Sequence, residues 1–449
     1  MAGCTHYVSA PVNPGEVAAA RAAARLNPNA VEQRLAALAP GYKAGAAQWD
    51  RLALFAAILE GNADIGASRT AIKTAEGARR AAGARPGPTL TLTTEYARNA
   101  PEASPWLFGG AIDLPIDAGG RRSSRLTVAD LGIAAARYDY AETIWTTRMA
   151  LRRALADKLV AECRLVAGIR MAAARQRQFD VVARRVGAGA ASRADLERVR
   201  ADVADAVRRQ ADARIAIANA SAGIAAALGV PPGDLTGRTL IWDGFEAPAP
   251  QPVVDAPTRL AALVGRADVL KAVTQHDQAE AELRGEIARQ YPAISIGPGY
   301  TWERGLVKIP INLALILPPL DGNRGAIAAA EARRGEAGAR LEAVVAGAAA
   351  AIDQALAATR LSRAALVQVR TLELPAARRL ALQADHELAA GVIDRGEWAA
   401  AQAGAELARL SELDALASVH AADAALEAAL RRPVEGPEMA IRGGLGVIE

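Results

Sequence analysis

The 449 residues are 51% hydrophobic but only 4% aromatic, with alanine supplying much of the apolar count, a balance suited to long, closely approaching helices rather than a thick globular core. The 53 basic and 49 acidic residues, net +4, are interspersed as on solvated helix faces, and with no basic block or aromatic platform nothing argues for nucleic acid. No run of 18 or more apolar residues exists, which excludes a membrane-spanning helix; the densest stretch, residues 309–320, is short and interrupted by prolines.

The chain opens Met1-Ala2-Gly3-Cys4, which resembles the end of a bacterial lipoprotein signal and makes Cys4 a candidate lipid attachment point, although the charged and hydrophobic portions of such a signal are absent. Residues 1–30 read as a loose leader. A first repeat follows over residues 31–228. It carries two strands with period-2 alternation, at about 89–97 and 106–116. Leu90, Leu92 and Tyr96 share one face of the first; Trp106, Phe108, Ile112, Leu114 and Ile116 share one face of the second. Residues 121 to about 184 contain no proline and few glycines. As a helix they would extend about 95 Å, far beyond ordinary globular lengths. Within it Cys163 reads as a small buried apolar residue. The pattern breaks at a tip, residues 185–195, and a return helix runs to Leu228, stopped by Gly229 and the prolines 231 and 232.

Residues 229–260, rich in proline, form a linker, and a second repeat spans residues 261–431. Pro88-Thr89-Leu90-Thr91-Leu92 is echoed by Pro292-Ala293-Ile294-Ser295-Ile296, and Pro115-Ile116-Asp117 by Pro319-Leu320-Asp321, both at an offset of 204. The strands here fall at about 293–303, with Ile294, Ile296, Tyr300 and Trp302 on one face, and 306–318, with Val307, Ile309, Ile311, Leu313, Leu315 and Leu317 on one face. The apolar faces of the second and fourth strands have opposite parity, so a bulge or a different loop length is expected in one copy. The second long hairpin covers about 322–431, interrupted at Pro375, with its tip at 387–397; residues 432–449 are a tail.

Four short amphipathic strands have the length and alternation of tilted membrane β-strands, with Tyr96, Trp106, Tyr300 and Trp302 placed for a lipid–water boundary. A small sheet packed on helices is the alternative. At the tips, Gly189 is followed six residues later by Asp195, and Gly391 six residues later by Glu397. One reading is structural: glycine reverses the chain and the carboxylate complements the return helix dipole. The other makes both tips exposed contact points. His6, His276, His386 and His420 are scattered, no Cys/His cluster has ligand spacing, and no nucleophile or phosphate loop stands out. No metal site, cofactor or enzymatic activity is expected.

The order of these signals resembles the TolC-like outer-membrane efflux proteins. The resemblance covers nearly the whole chain after residue 45, through the duplicated strand–strand–hairpin units, the turn at residues 115–121 and both glycine–carboxylate tips. Gly119-Gly120-Arg121-Arg122, residues 319–325 and Arg85-Pro86-Gly87-Pro88 look most similar to the outer-membrane subunits of cobalt–zinc–cadmium exporters of the RND type. The resemblance implies a mainly α fold with a membrane β part, four strands per chain. It further implies a homotrimer with one shared twelve-stranded barrel and a periplasmic helical tunnel.

On the same basis, an adaptor (membrane fusion protein) and an inner-membrane RND pump would meet the tips through Arg185, Gly189, Ala190, Ser192, Leu388, Gly391, Val392 and Ile393. The periplasmic gate would use Glu397 as an acidic ring and Asp195 as half of a latch. The family's latching position is Ile393 here, so Arg395 is the substitute partner. The cargo would be heavy-metal cations, or organic compounds if the subgroup is wrong. A periplasmic adaptor should have one hairpin flanked by β segments, and a soluble helical scaffold leaves the greasy strands unexplained.

Overall fold

The computed structural model describes residues 6–42, 48–98, 104–116, 119–303 and 305–441. Cys4 and Asp117 lie outside them. In chain order the elements are α1 (Pro14–Ala22), α2 (Pro28–Leu38), β1 (Gln48–Trp49), α3 (Arg51–Gly61), α4 (Ala63–Gly83), β2 (Thr89–Tyr96), β3 (Trp106–Ile116), α5 (Arg121–Gly187) and α6 (Arg193–Leu228). Then come β4 (Thr239–Leu240), α7 (Ala256–Gly265), α8 (Ala267–Ala288), β5 (Ala293–Glu303), β6 (Leu306–Lys308), β7 (Ile311–Ile316), α9 (Arg324–Gln368), α10 (Leu374–Ala389) and α11 (Arg395–Leu430). Two units divide them: residues 67–140 with 264–347, and residues 1–66, 141–263 and 348–449.

The unit of residues 67–140 and 264–347 holds an antiparallel sheet in the order β2-β3-β5, with both β6 and β7 on the far side of β5. The expected fourth strand is thus two strands in one register, and it ends at Ile316 rather than 318. The break falls at Pro310, which has no N–H to give to the ladder, although its carbonyl still accepts from the Gly299 amide at 2.7 Å. Register explains the parity conflict. Thr89 pairs with Asp113, but Ala293 pairs with Ile316, so the second hairpin is one residue shorter and the offset falls from 204 to 203. The repair is loop length, not a bulge: nine residues separate paired Tyr96 and Trp106, and two separate paired Glu303 and Leu306.

The turns into the long helices keep the new offset. Gly119 and Gly120 have φ of +77° and +80°, and their counterparts Gly322 and Asn323 have +66° and +62°. Two consecutive left-handed residues are needed to swing the strand into the helix, and asparagine is the side chain that best tolerates that region. The arginines after the first turn cap neighbouring helices. Arg121 Nε donates to the Ala288 carbonyl at 3.3 Å, and Arg122 Nη2 to Gly83 at 2.9 Å.

In the other unit α3 is the centre: residues 52–59 are at most 2% exposed. Its C-terminus meets that of α6 glycine to glycine. A Cβ on Gly61 would lie 2.3 Å from the Leu228 carbonyl oxygen, and one on Gly229 2.3 Å from that of Gly61. A satellite core joins Ala262 of α7, Ile352 and Ala355 of α9, and Leu426 and Leu430 of α11. The leader is not wholly loose, since α1 is capped by Asn13 and Leu26 is buried, its amide donating to Asp234 at 2.9 Å. Cys163 is half-buried rather than buried, and burial raises its thiol pKa.

Pro375 interrupts the second long helix as the sequence indicates, but without a break. Residues Val369–Glu373 form a π turn in which the Leu374 amide donates to the Val369 carbonyl, five residues back. The wider turn absorbs the missing proline donor. One expectation is corrected. The continuous span Arg324–Ala389 contains an 18-residue window of mean hydropathy 1.4, long and apolar enough by length and composition to cross a membrane. A search for unbroken apolar runs misses it because a few polar residues interrupt its alanines.

Candidate functional site

Both tips belong to the unit centred on α3. In the first, Ala188, Gly189 and Ala190 amides donate to the Arg184, Val186 and Arg185 carbonyls; in the second, Ala390, Gly391 and Val392 amides donate to His386, Leu388 and Glu387. Every donor and acceptor matches at an offset of 202. Gly189 and Gly391 have φ of +74° and +70°. The return helices α6 and α11 are each 36 residues, and each ends on a left-handed residue, Gly229 and Arg431.

Each return helix begins with a capping box. Ser192 Oγ accepts from the Asp195 amide at 3.0 Å and donates to Asp195 Oδ2 at 2.7 Å. Asp394 Oδ1 accepts from the Gly396 and Glu397 amides at 2.7 and 2.9 Å, and Glu397 Oε2 accepts from the Asp394 amide at 3.3 Å. The two carboxylates therefore do what the structural reading of their spacing demands. Hydrogen bonds from Ser192 hold the Asp195 carboxyl below its ordinary pKa.

Asp195 contacts Ser192 and, at 3.6 Å, Arg198 on its own helix, while Arg395 is exposed. The ion pair that joins the tips is instead Arg185 Nη1 to Asp394 Oδ2, at 2.8 Å. Gly189, Ala190, Ser192, Gly391 and Val392 are exposed, Val392 at 71%, whereas Leu388 and Ile393 are half-buried. Behind the second tip, Trp398 Nε1 and Gln402 Nε2 both donate to Asp385 Oδ1, at 2.6 and 2.9 Å, tying α10 to α11. Gly396 packs where a Cβ would meet Val181 of α5 at 3.1 Å.

On the sheet, the registers place most of the large apolar residues on one face, with Leu107, Leu306 and Ile316 on the other. Leu90 lies opposite Ile112, Leu114 opposite Ile296, and Ile296 opposite Leu313. That face is uncovered: Leu92 is 76% exposed and Leu313 62%. At the hairpin ends an aromatic row runs from Tyr96 through Trp106 and Phe108 to Trp302, with ring centroids 4.9, 5.7 and 6.2 Å apart. Tyr300 is 53% exposed beside it.

Sequence reasoning gave no sign of a second charged site. Arg51, Arg148 and Arg152 are buried against Glu427, Glu435 and Glu438, beside Trp242, Phe245 and His420. The one local signal is the i,i+4 spacing of Arg148 and Arg152. Among the described residues no group of three or more His, Cys, Asp or Glu is placed to hold a metal ion.

The family model described as outer membrane efflux protein matches residues 54–230 and 260–431. Among solved structures, a membrane protein from Pseudomonas aeruginosa is 20% identical, with 88% of this chain and 97% of that one covered at a TM-score of 0.69. The outer-membrane channel OprN is 19% identical, with coverage of 84% and 88% and a TM-score of 0.70. CusC is 16% identical, with coverage of 88% and 99% and a TM-score of 0.69. At these identities the likeness is one of fold. No curated protein matches the sequence.

Proposed function

Because the chain belongs to the outer membrane efflux protein family, we propose that it is the outer-membrane channel of a tripartite efflux system in a Gram-negative bacterium, a passive duct and not an enzyme. The observation that carries this reading is the sheet whose apolar face is exposed from β2 to β7. In water such a face is a liability, and against acyl chains it is favourable. The outer edges of β2 and of β6 and β7 pair with no strand among the described residues, and lipid tolerates no open edge. Three copies joined edge to edge would close a twelve-stranded barrel. The ten residue steps from Trp106 to Ile116, tilted by ~40°, rise about 25 Å, the height of an outer-membrane apolar band.

Matching elements at offsets of 204, 203 and 202 support an internally duplicated chain, whose two hairpins would be equivalent staves of a periplasmic tunnel. The exposed tips suit contact with an adaptor and an RND pump, which supplies the energy. Glu397 from three copies would form an acidic ring that favours cations, with heavy-metal ions as the cargo on the strength of the loops at 119–122 and 319–325. Cys4 would be the lipid anchor. Mass measurement in micelles tests the core of this reading. A trimer that needs detergent supports it, and a monomer soluble without detergent overturns it. For the gate, Glu397→Gln preserves the capping hydrogen bond and removes the charge, so cation selectivity in single-channel recordings should fall. Unchanged selectivity removes Glu397 from the gate, and unchanged metal tolerance of a deletion strain removes the metal cargo.

A further inference from the structure

Arg51 at the start of α3, and Arg148 and Arg152 one turn apart on α5, are 5%, 2% and 3% exposed. Their counter-charges come from α11 and from the segment beyond it. Arg148 donates to Glu427 Oε2 at 2.9 Å and to Glu438 Oε1 at 3.2 Å. Arg152 donates to Glu435 Oε1 at 2.9 Å, with its Nε 3.5 Å from Glu427. Arg51 lies 3.2 Å from Glu435 and 3.3 Å from Glu438. Two of the three carboxylates therefore belong to residues 434–441, past the last long helix.

That segment is fitted to the cluster in backbone as well as charge. The Val434 amide donates to Glu427 Oε1 at 3.0 Å. Gly436 has a φ of +85°, and a Cβ there would stand 1.4 Å from Arg51 Nη2, so any other residue would be strained and would push the Arg51 guanidinium aside. A 3₁₀ turn, Pro437–Ala440, then buries Glu438 at 3% exposure, and Ile441 follows at 8%. The cluster is held by charge more than by aligned hydrogen bonds: Arg51 Nε, Arg148 Nε, and Arg152 Nε and Nη1 make none, and neither does Glu438 Oε2, 3.3 Å from Arg51 Nε.

We infer that residues 434–441 are an intramolecular strap, an acidic segment whose docking on the guanidinium cluster is the step that closes this unit. Without it three buried cations face one carboxylate, Glu427, and an uncompensated buried charge is strongly unfavourable. Since α3 and α5 contribute the cations, the burial of both depends on a segment that lies beyond α11 in sequence. Docking of this segment is thereby coupled to completion of the unit's core. The inference holds whether or not the protein is a channel.

Two variants of the full chain test it: deletion of residues 434–449, and Glu435→Gln with Glu438→Gln, which keeps the strap and removes its charge. The double variant is expected to lower the thermal unfolding midpoint by roughly 10 °C. It should also raise tryptic cleavage after Arg431 by about tenfold or more, because an undocked strap frees the end of α11, whereas the Arg432–Pro433 bond resists trypsin. A synthetic peptide of residues 433–441 added to the deletion variant should raise its midpoint in a saturable way, and the peptide with both glutamates changed to glutamine should not. A double variant within about 2 °C of the parent, with unchanged cleavage, overturns the strap even if the deletion variant cannot be made.

Discussion

The carboxylate of Asp394 serves two partners at once: Oδ1 caps α11, and Oδ2 lies 2.8 Å from Arg185 at the end of α5. Asparagine at 394 preserves the cap and breaks the ion pair. Both side chains are largely exposed, so the pair contributes at most about 1 kcal/mol. Asp394→Asn and Arg185→Ala should each leave stability within that margin. If the pair latches the tips, each raises single-channel conductance, and the double variant adds nothing further. Additive increases, or no increase, would show that the contact is incidental to gating.

Ser192 is the cap of α6 and holds Asp195 by its hydroxyl at 2.7 Å. Ser192→Ala should cost about 1 kcal/mol in denaturant unfolding and return the Asp195 carboxyl toward its ordinary pKa, visible by NMR titration. A stability unchanged to within a few tenths would mean that the capping box carries no weight.

Much of this architecture is legible in sequence because it rests on local period. Alternation in residues 89–96 and 293–303 gives the faces of the sheet, and the glycine-to-carboxylate spacing gives both tips. What resists reading depends on distant partners or on single residues. The parity conflict needed the register of Ala293 with Ile316, one residue short of its counterpart. The proline at 310 divides a strand whose alternation runs straight through it. At the tips, the spacing located Asp195 and Glu397 but not their roles, because Arg185 and Asp394 are 209 residues apart. The arginine cluster is more remote still: Arg148 and Glu438 are separated by 290 residues, and neither looks different from a surface charge.

Gly61 and Gly229 permit a close approach of two helix ends in the unit centred on α3. A methyl group on Gly61 would sit 2.3 Å from a backbone oxygen, which cannot swing away as a side chain can. Gly61→Ala should therefore destabilise by about 1–3 kcal/mol and displace Asn62 Nδ2, which donates to the Ala227 carbonyl at 2.9 Å. Gly233→Ala, in open space, is the control. Equal stability of the two variants would contradict the close packing.

His420 makes the unit centred on α3 acid-sensitive in a defined window. It is 2% exposed, stacked on Phe245 at 4.4 Å, with Nε2 2.8 Å from the Phe245 carbonyl. Burial lowers its pKa from 6.5 to about 4; nearby Arg152 and Arg51 act in the same direction, against the Phe245 hydrogen bond and Glu435. The folded state thus binds the proton more weakly than the unfolded chain. Its contribution to stability is complete above pH 6.5 and is lost as the pH falls from 6.5 toward 4, up to about 3 kcal/mol in all. Glu435, which burial would raise but Arg152 and Arg51 hold below 4.5, adds its own loss only at lower pH. The unfolding midpoint should therefore drop between pH 6.5 and 5 in the parent protein and stay nearly flat in His420→Gln. Parallel slopes for the two proteins over that interval would assign the acid sensitivity to another group.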